Sequence, residues 1–197
     1  MCIRDRVLPG KIMEEMAAND RVIGGLNPLS TDRAKQLYSS FCNGEMLLTN
    51  ATTAEMAKLT ENSFRDVNIA FANELSIISD KLGIDVWELI ELANHHPRVN
   101  ILNPGPGVGG HCIAVDPWFI VSSAQEEAKL IRTAREVNDG KPAYVIAKIT
   151  EAVEAEGADS IAALGIAFKP DIDDLRESPA LSLSLIHISE PTRRRGI

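Results

Sequence analysis

Residues 52–83, TTAEMAKLTENSFRDVNIAFANELSIISDKLG, carry the longest regular pattern in the chain. Apolar residues recur at helical spacing, no proline interrupts them, and Gly83 stands where the pattern stops. The pattern predicts a helix of about 30 residues, which is long for a globular protein. We expect such a helix to form the spine of a domain or a dimer interface. Its apolar positions are Met56, Leu59, Phe64, Val67, Ile69, Ala70, Ala72, Leu75 and Ile78.

Shorter elements flank this helix on both sides. Before it, helices and strands are predicted to alternate, and Ser30 or Thr31 is predicted to cap the second helix. These four elements cover residues 11–20, 21–25, 30–43 and 45–50. After the long helix come three predicted helices, over residues 85–96, 124–139 and 141–157. The apolar stretch SIAALGIAF, residues 160–168, predicts a buried parallel-type strand that would open a second α/β domain.

The two ends of the chain are expected to be foreign to the protein. Reverse-complementing a back-translation of MCIRDR yields codons for Leu-Ser-Leu-Ile-His-Ile, which is the sequence of residues 183–188. Residues 1–6 and 183–197 are therefore interpreted as a translated transposon-type sequencing adapter and set aside. These ends hold five arginines and two acidic residues, so without them the formal net charge changes from −8 to −11. An acidic body argues against partners such as nucleic acid or an anionic membrane.

Cysteine usage and hydropathy indicate the cellular compartment. Cys42 and Cys112 are far apart in the sequence and predict free thiols in a reducing cytoplasm. No apolar run approaches the length of a membrane span. We therefore expect a cytoplasmic protein that binds neither nucleic acid nor a membrane, and the sequence predicts no metal site.

The glycine-rich stretch NPGPGVGGHCIAVDPWF, residues 103–119, precedes and surrounds Cys112. It satisfies the spacing G-x-G-x-x-G, but a dinucleotide fingerprint also needs a preceding strand and a helix that opens at the loop. Pro104 and Pro106 remove backbone donors, and Asp116-Pro117 prevents a long helix from starting at the third glycine. The stretch is therefore predicted to be a loop whose bare backbone lets a ligand approach closely.

Cys112 is either a nucleophile or a small buried structural residue. The adjacent His111 is a poor base for it, because neighbouring residues do not face each other in a helix or a strand. Glycines that give access, and Asp116 four residues on, favour the nucleophile. In the long helix, Lys58 and Asn62 share a face and could together donate hydrogen bonds to an oxyanion. The alternative is that both are ordinary surface residues of a helix.

Three ordered blocks resemble the nucleotide-sugar 6-dehydrogenases, which convert a UDP- or GDP-hexose to its uronic acid. They are AEMAKLTENSFRDVNIAFANEL (54–75), HPRVNILNPGPGVGGHCIAVDPWFI (96–120) and LGIAFKPDIDDLRESPA (164–180). The resemblance covers nearly all of residues 7–180. In the second block, His111 before Cys112 and the sequence VDPWF after it favour UDP-N-acetylmannosamine as substrate. UDP-N-acetylglucosamine and UDP-glucose are the alternatives.

The resemblance assigns a role to each matching residue. Cys112 would be the nucleophile that carries a thiohemiacetal and then a thioester, Lys58 and Asn62 would stabilise oxyanions, and Asp116 would position or activate water. NAD would be the cofactor, contacted by Arg176, and a homodimer would form through the central helices. Arg98 would reach into the neighbouring subunit's site. The UDP-sugar substrate would contact Arg98, Asn100, Leu102, Gly105, Gly107, Gly109, Gly110 and Lys169.

The resemblance also completes the fold prediction as an α/β multidomain fragment. A central all-α dimerisation domain with the cysteine loop, residues 51–156, would lie between truncated Rossmann-like α/β domains. The first of these, residues 7–50, would be the end of an NAD-binding domain, and the second, residues 157–182, the start of a UDP-binding domain. The chain alone is expected to be inactive. Two alternatives of another class are a non-catalytic helical dimer module and a cysteine hydrolase, which would need a distant base.

Overall fold

The computed structural model describes the backbone of residues 2–3, 11–168 and 174–189, and the side chains of residues 11–168 and 174–184. By its internal contacts the chain divides into two compact units, Met1–Glu61 and Asn62–Ile197. The first contains a small sheet, two helices and the start of a long third helix, and the second is helical. Within the described ranges, every helix is too short or too polar to span a bilayer.

The first unit alternates helices and strands, as the sequence predicts. Its parallel ladder joins β2 to β3, and a two-residue strand, β1, pairs antiparallel to β2 at Cys2 and Ile3, two of the residues interpreted as adapter. Ile23 is fully buried in the centre of this sheet. The bounds are β1 Cys2–Ile3, α1 Ile12–Ala18, β2 Arg21–Gly25, α2 Pro28–Tyr38 and β3 Met46–Asn50.

The start of α2 differs from the prediction of a Ser30 or Thr31 cap. Asn27 is the N-cap, because its side chain accepts a 2.9 Å hydrogen bond from the backbone N–H of Ser30. The Ser30 hydroxyl accepts one in return from the backbone N–H of Asn27, at 3.2 Å. This reciprocal pair is a capping box, and Pro28 suits the first turn because its missing N–H would have no helical partner.

The long helix α3, Ala51–Leu82, is confirmed. Gly83 ends it with φ +69°, and the N–H of Ile84 bonds back to the carbonyl of Ser79 at 2.9 Å, as in a Schellman motif. Several apolar positions that predicted the helix are nevertheless exposed, including Phe64 at 69%. The face of α3 that is buried in the second unit is instead rich in polar side chains, namely Asn62, Ser63, Asp66, Asn73 and Ser79.

The remaining helices of the second unit are α4 Val86–Asn94, α5 Asp116–Ser123, α6 Lys129–Glu156 and α7 Pro179–Ser189. The prediction of two helices over 124–157 is wrong, because α6 continues through Pro142. A proline inside a helix removes one backbone hydrogen bond and strains the preceding turn. Contacts with α3 hold α6 around this proline. The buried side chains of Arg135, Asn138 and Lys141 all bond to residues of α3.

The prediction of a buried strand over residues 160–168 is also wrong. The segment has irregular backbone, and the side chain of Leu164 is 96% exposed. A buried parallel strand needs a hydrogen-bonded neighbour and helices over its faces. The described residues of the second unit provide no such strand, so apolar composition alone does not make this segment fold as one.

Candidate functional site

The candidate nucleophile Cys112 lies in a turn, residues 111–115, directly before α5. Its backbone carbonyl accepts hydrogen bonds from the N–H groups of Val115, at 3.2 Å, and Asp116, at 2.8 Å. Its thiol is free and exposed. Cys42, the other cysteine whose side chain is described, is buried and donates to the carbonyl of Asn19 at 3.4 Å. Solvent can therefore reach the thiol of Cys112, whereas the thiol of Cys42 is part of the core.

Asn62 and Asp116 form a buried pair behind this turn. The side-chain amide of Asn62 donates to Oδ2 of Asp116 at 2.6 Å, and the two residues are 5% and 6% exposed. They belong to different helices, α3 and α5, and lie far apart in the sequence. The structure thus brings Asn62, Asp116 and the Cys112 turn together. A carboxylate that directly follows the turn of an accessible thiol is a candidate to orient or deprotonate a water molecule.

Lys58 lies in the first unit, one helical turn before Asn62 on α3. Its side chain is 19% exposed, and its ammonium group is 3.8 Å from the carboxylate of Glu61. It is therefore more buried than an ordinary surface lysine. Its role as a donor to an oxyanion stays a prediction.

The glycine-rich loop is not a dinucleotide fingerprint. Residues 99–109 have no regular structure apart from one bend, no strand precedes them, and the next helix begins only at Asp116. Gly107 and Gly110 adopt φ values of +144° and +89°, which side chains other than glycine rarely tolerate. A Cβ added at Gly109 would lie 2.5 Å from the Cβ of Phe168 and 2.7 Å from the carbonyl oxygen of Glu177. Glycine is required at 107, 109 and 110 because this part of the loop packs tightly against Phe168, Glu177 and Pro179.

Two backbone amides of the loop are already engaged within the protein. The N–H of Gly105 donates to Oδ1 of Asn73 at 2.8 Å, and that of Gly110 donates to the carbonyl of Arg176 at 3.1 Å. The resemblance implied that these two glycines contact the UDP-sugar. In this conformation the Gly105 and Gly110 amides serve to hold the loop instead.

The remaining residues predicted to bind the UDP-sugar lie before or after the glycines. Arg98 and Asn100 are exposed, Leu102 is half-buried, and the backbone N–H of Arg98 donates to Nδ1 of His96 at 3.3 Å. Exposed side chains here are free to reach a ligand or a second subunit. Lys169 lies outside the described residues.

Arg176, predicted to contact NAD, forms an ion pair with Asp174. Its Nε and Nη2 donate to both carboxylate oxygens of Asp174 at 2.6–3.1 Å. These hydrogen bonds and the cationic charge lower the pKa of Asp174 to about 2, with a smaller contribution from His111. Asp174 in turn raises the pKa of Arg176, mainly through the hydrogen bonds between them, and Cys112 makes a smaller contribution in the same direction. The ion pair therefore lies within electrostatic reach of the His111-Cys112 turn.

Sequence reasoning did not identify a buried polar cluster between α3 and α6. The guanidinium of Arg135 donates to Oδ1 of Asp66 at 2.6 Å, and the amide of Asn138 donates to the same oxygen at 2.9 Å. Burial raises the pKa of Asp66, and Arg135 opposes the change only in part. The only sequence signal is that polar residues stand at positions where the helical pattern predicts apolar ones.

Comparison with known proteins places these features in context. Residues 52–140 match the central domain of the UDP-glucose/GDP-mannose dehydrogenase family. The UDP-N-acetyl-D-mannosamine dehydrogenase of Campylobacter jejuni is 63% identical over 94% of this chain and 46% of its own length. That of Escherichia coli K12 is 62% identical over 91% of this chain and 45% of its own length. The NDP-N-acetyl-D-galactosaminuronic acid dehydrogenase of Ralstonia nicotianae is 61% identical, with 91% and 42% covered.

Solved structures similar to this chain are named for the same activity as the first two of these relatives. The UDP-N-acetyl-mannosamine dehydrogenase of S. aureus superposes with a TM-score of 0.87 at 50% identity, over 96% of this chain and 45% of the other. The UDP-D-ManNAc dehydrogenase of Pyrococcus horikoshii gives 0.85 at 46% identity, over 95% and 46%. The chain spans about half the length of the curated relatives that it matches.

Proposed function

The chain belongs to the UDP-glucose/GDP-mannose dehydrogenase family, and we propose that it is the central part of an NAD-dependent UDP-N-acetyl-D-mannosamine dehydrogenase. The observation that carries this proposal is the exposed Cys112 thiol, in the turn whose next residue, Asp116, forms a buried pair with Asn62. The names of the relatives at 62–63% identity support the choice of sugar. The product would be a UDP-uronic acid for surface polysaccharides.

The proposed reaction oxidises the C6 hydroxymethyl group of the sugar twice. Loss of a hydride and a proton gives an aldehyde, and the thiolate of Cys112 adds to its carbonyl carbon to form a thiohemiacetal. Loss of a second hydride and a proton gives a thioester. Water then breaks the carbon–sulfur bond, releasing the carboxylate and the thiol. Lys58 and Asn62 would stabilise the oxyanions, and Asp116 would orient or deprotonate the water.

NAD would supply the acceptor for both hydrides. Of the predicted contact residues, Arg176 fits such a group, because its side chain is 66% exposed. A guanidinium has five N–H donors, and Asp174 engages only those on Nε and Nη2. Arg176 could therefore contact a cofactor phosphate while it keeps its ion pair.

A second candidate substrate has support from the comparisons. A relative named for NDP-N-acetyl-D-galactosaminuronic acid is 61% identical, nearly as similar as those named for the mannosamine sugar. The 2-acetamido group is common to both sugar names, so the configuration of the hexose is the open choice. UDP-N-acetylglucosamine and UDP-glucose remain as further substrates to compare.

The proposed enzyme would be a homodimer. Phe64, Phe71 and Ile78 recur every seven residues along one face of α3 and are 69%, 53% and 44% exposed. An apolar stripe with this repeat is typical of a helix that packs against another helix. A second copy of α3 would cover it.

The non-catalytic alternative requires Cys112 to be a buried structural thiol, and the exposure of Cys112 contradicts that requirement. A cysteine hydrolase would need a base that directly faces the thiol. Among the described residues, no side-chain hydrogen bond joins such a base to the Cys112 thiol. The described geometry therefore favours the dehydrogenase over both.

The test is the stoichiometry of NADH formed per UDP-N-acetylmannosamine consumed, in the full-length protein encoded by the source gene. The Cys112→Ala variant is compared with Cys42→Ala, which removes the buried thiol. We expect two NADH per sugar, lost in Cys112→Ala and retained in Cys42→Ala. If only another UDP-sugar yields two NADH, that sugar is the substrate and the proposed mechanism still holds. Unchanged turnover in Cys112→Ala would overturn the proposed role of the thiol.

A further inference from the structure

The loop that leads to Cys112 is held in place by side-chain amides from two helices. Asn94, at the end of α4, accepts from the N–H of Ile101 at 2.7 Å and donates to its carbonyl at 3.0 Å. Asn73, in the middle of α3, accepts from the N–H of Gly105 at 2.8 Å. A loop without regular structure must find partners for its backbone groups elsewhere, and here two asparagines supply them.

The orientation of Asn73 is determined by the buried cluster behind it. Its Nδ2 donates to Oδ1 of Asn138 at 2.8 Å, while Nδ2 of Asn138 donates to the carbonyl of Asp66 at 3.0 Å. Turning either amide over would put donor against donor or acceptor against acceptor at each end. Arg135 completes the series with its 2.6 Å ion pair to Asp66. The acceptor offered to Gly105 is thus fixed by the packing of α3 against α6.

These groups are buried deeply enough for the hydrogen bonds to matter. Asn73 and Asp66 are 0% exposed, and Asn138 and Arg135 are 1% exposed. Breaking a buried hydrogen bond leaves its partner without the water that would otherwise replace it. By contrast, Asn94 is only half-buried, so water can substitute for it more easily.

We propose that Asn73 is a positioning residue for binding of the sugar nucleotide, with Asn138 as the partner that orients it. Asn73 acts through the Gly105 amide on residues 100–110, and it need not touch the substrate. This inference rests on the proposed function for the identity of the ligand. It predicts that loss of Asn73 weakens substrate binding while the chemistry at Cys112 proceeds at nearly its normal rate.

The first test is hydrogen exchange at the Gly105 amide in the chain itself. Asn73→Ala removes the acceptor, and we expect exchange to become about tenfold faster, as for the loss of one net hydrogen bond. Asn138→Ala keeps the Asn73 acceptor but removes the partner that orients it, so the exchange rate should increase less. Asn73→Asp keeps an acceptor for Gly105 and should restore part of the protection.

The matched control is Ser76→Ala. Ser76 lies one turn after Asn73 on the same helix and bonds to Lys141 of α6, so it takes part in the same helix packing. Its described hydrogen bonds go to these two helices and not to the loop, so exchange at Gly105 should stay unchanged. Equal acceleration in Ser76→Ala and Asn73→Ala, or normal exchange in a folded Asn73→Ala, would overturn the proposal. If Asn73→Ala does not fold, exchange at Gly105 in Asn73→Asp and Asn138→Ala is compared with that in Ser76→Ala. Faster exchange in Asn138→Ala than in Ser76→Ala supports the proposal, and equal exchange overturns it.

The second test uses the full-length enzyme. We expect Asn73→Ala to raise KM for the UDP-sugar about tenfold and to leave kcat within about twofold, because an interaction shared by ground and transition states is lost. A fall in kcat at unchanged KM would contradict the positioning role. If no UDP-sugar is oxidised by the unaltered enzyme, the proposed function fails, whereas the exchange result still decides whether Asn73 holds the loop.

Discussion

The carboxylate of Asp116 accepts a 2.6 Å hydrogen bond from the side-chain amide of Asn62, and both residues are buried. Asn62 lies on α3 and Asp116 begins α5, directly after the turn that carries Cys112. An amide donor holds the carboxylate in one orientation, so its second oxygen has a defined position. In the proposed mechanism, Asp116 is the residue that orients or deprotonates water when the thioester is hydrolysed.

Asp116→Asn should slow hydrolysis of the thioester at least about tenfold, because a neutral amide cannot accept the proton of water. In the full-length enzyme mixed with UDP-sugar and NAD, intact-mass spectrometry should then show a covalent adduct on Cys112. Asp159→Asn, which changes an exposed acid after α6, is the control and should show no adduct. Normal turnover without an adduct in Asp116→Asn would remove Asp116 from the mechanism.

Cys112 should be alkylated at least about tenfold faster than Cys42, because a buried thiol reacts only after local opening of the structure. Peptide mass spectrometry after a short pulse of iodoacetamide, applied to the chain as it stands, measures both sites in one sample. In the full-length enzyme, saturating UDP-sugar should protect Cys112 and leave Cys42 unaffected. Equal labelling of the two thiols would contradict the accessibility on which the proposed function depends.

Phe71→Glu should dissociate the proposed dimer, because a charge placed in the centre of an apolar helix contact loses its hydration without gaining a partner. Sedimentation velocity of the full-length protein should show a shift from dimer to monomer. Leu164→Glu is the matched control, since it puts the same charge at an apolar residue that is 96% exposed in the segment after α6. A dimer that survives Phe71→Glu would mean that another surface joins the subunits.

The Asp174–Arg176 ion pair should remain intact far into the acid range. The carboxyl carbon of Asp174, followed by NMR, should titrate with a pKa of about 2, and Arg176→Gln should move this pKa towards the ordinary aspartate value of 3.8. Since the folded-state pKa is depressed, the pair stabilises the fold fully above pH 3.8. That contribution is lost as the pH falls towards about 2. A midpoint near 3.8 in the unaltered chain would show that Arg176 does not hold Asp174 in solution.

Sequence patterns correctly predicted those elements that are determined by the residues of the segment itself. The helix over 51–82 follows from uninterrupted helical spacing and a glycine stop, and both are properties of the sequence itself. The helix break at Gly140 was predicted by the same local rules and is wrong, because α6 runs through Gly140 and Pro142. There, contacts between α6 and α3 outweigh the local cost of proline, and no local pattern contains those contacts.

The strand predicted over 160–168 failed for a related reason. Its apolar composition is necessary for a buried parallel strand, but pairing with a neighbour is what makes one, and pairing is not encoded in the segment alone. The N-cap of α2 is a smaller case. Asn27, Ser30 and Pro28 all favour a helix start, and only the reciprocal hydrogen bonds decide which residue is the cap.

By itself, the sequence determined that residues 51–82 form one long helix and that Cys112 follows a glycine-rich loop, because spacing and residue type are sufficient for both. Only the tertiary structure decided that Asn62 meets Asp116, that Asn73 holds Gly105, and that Arg135 pairs with Asp66 inside the α3–α6 contact. Each of these pairs joins residues distant in the chain. A buried polar group takes whichever partner the packing brings within hydrogen-bond distance.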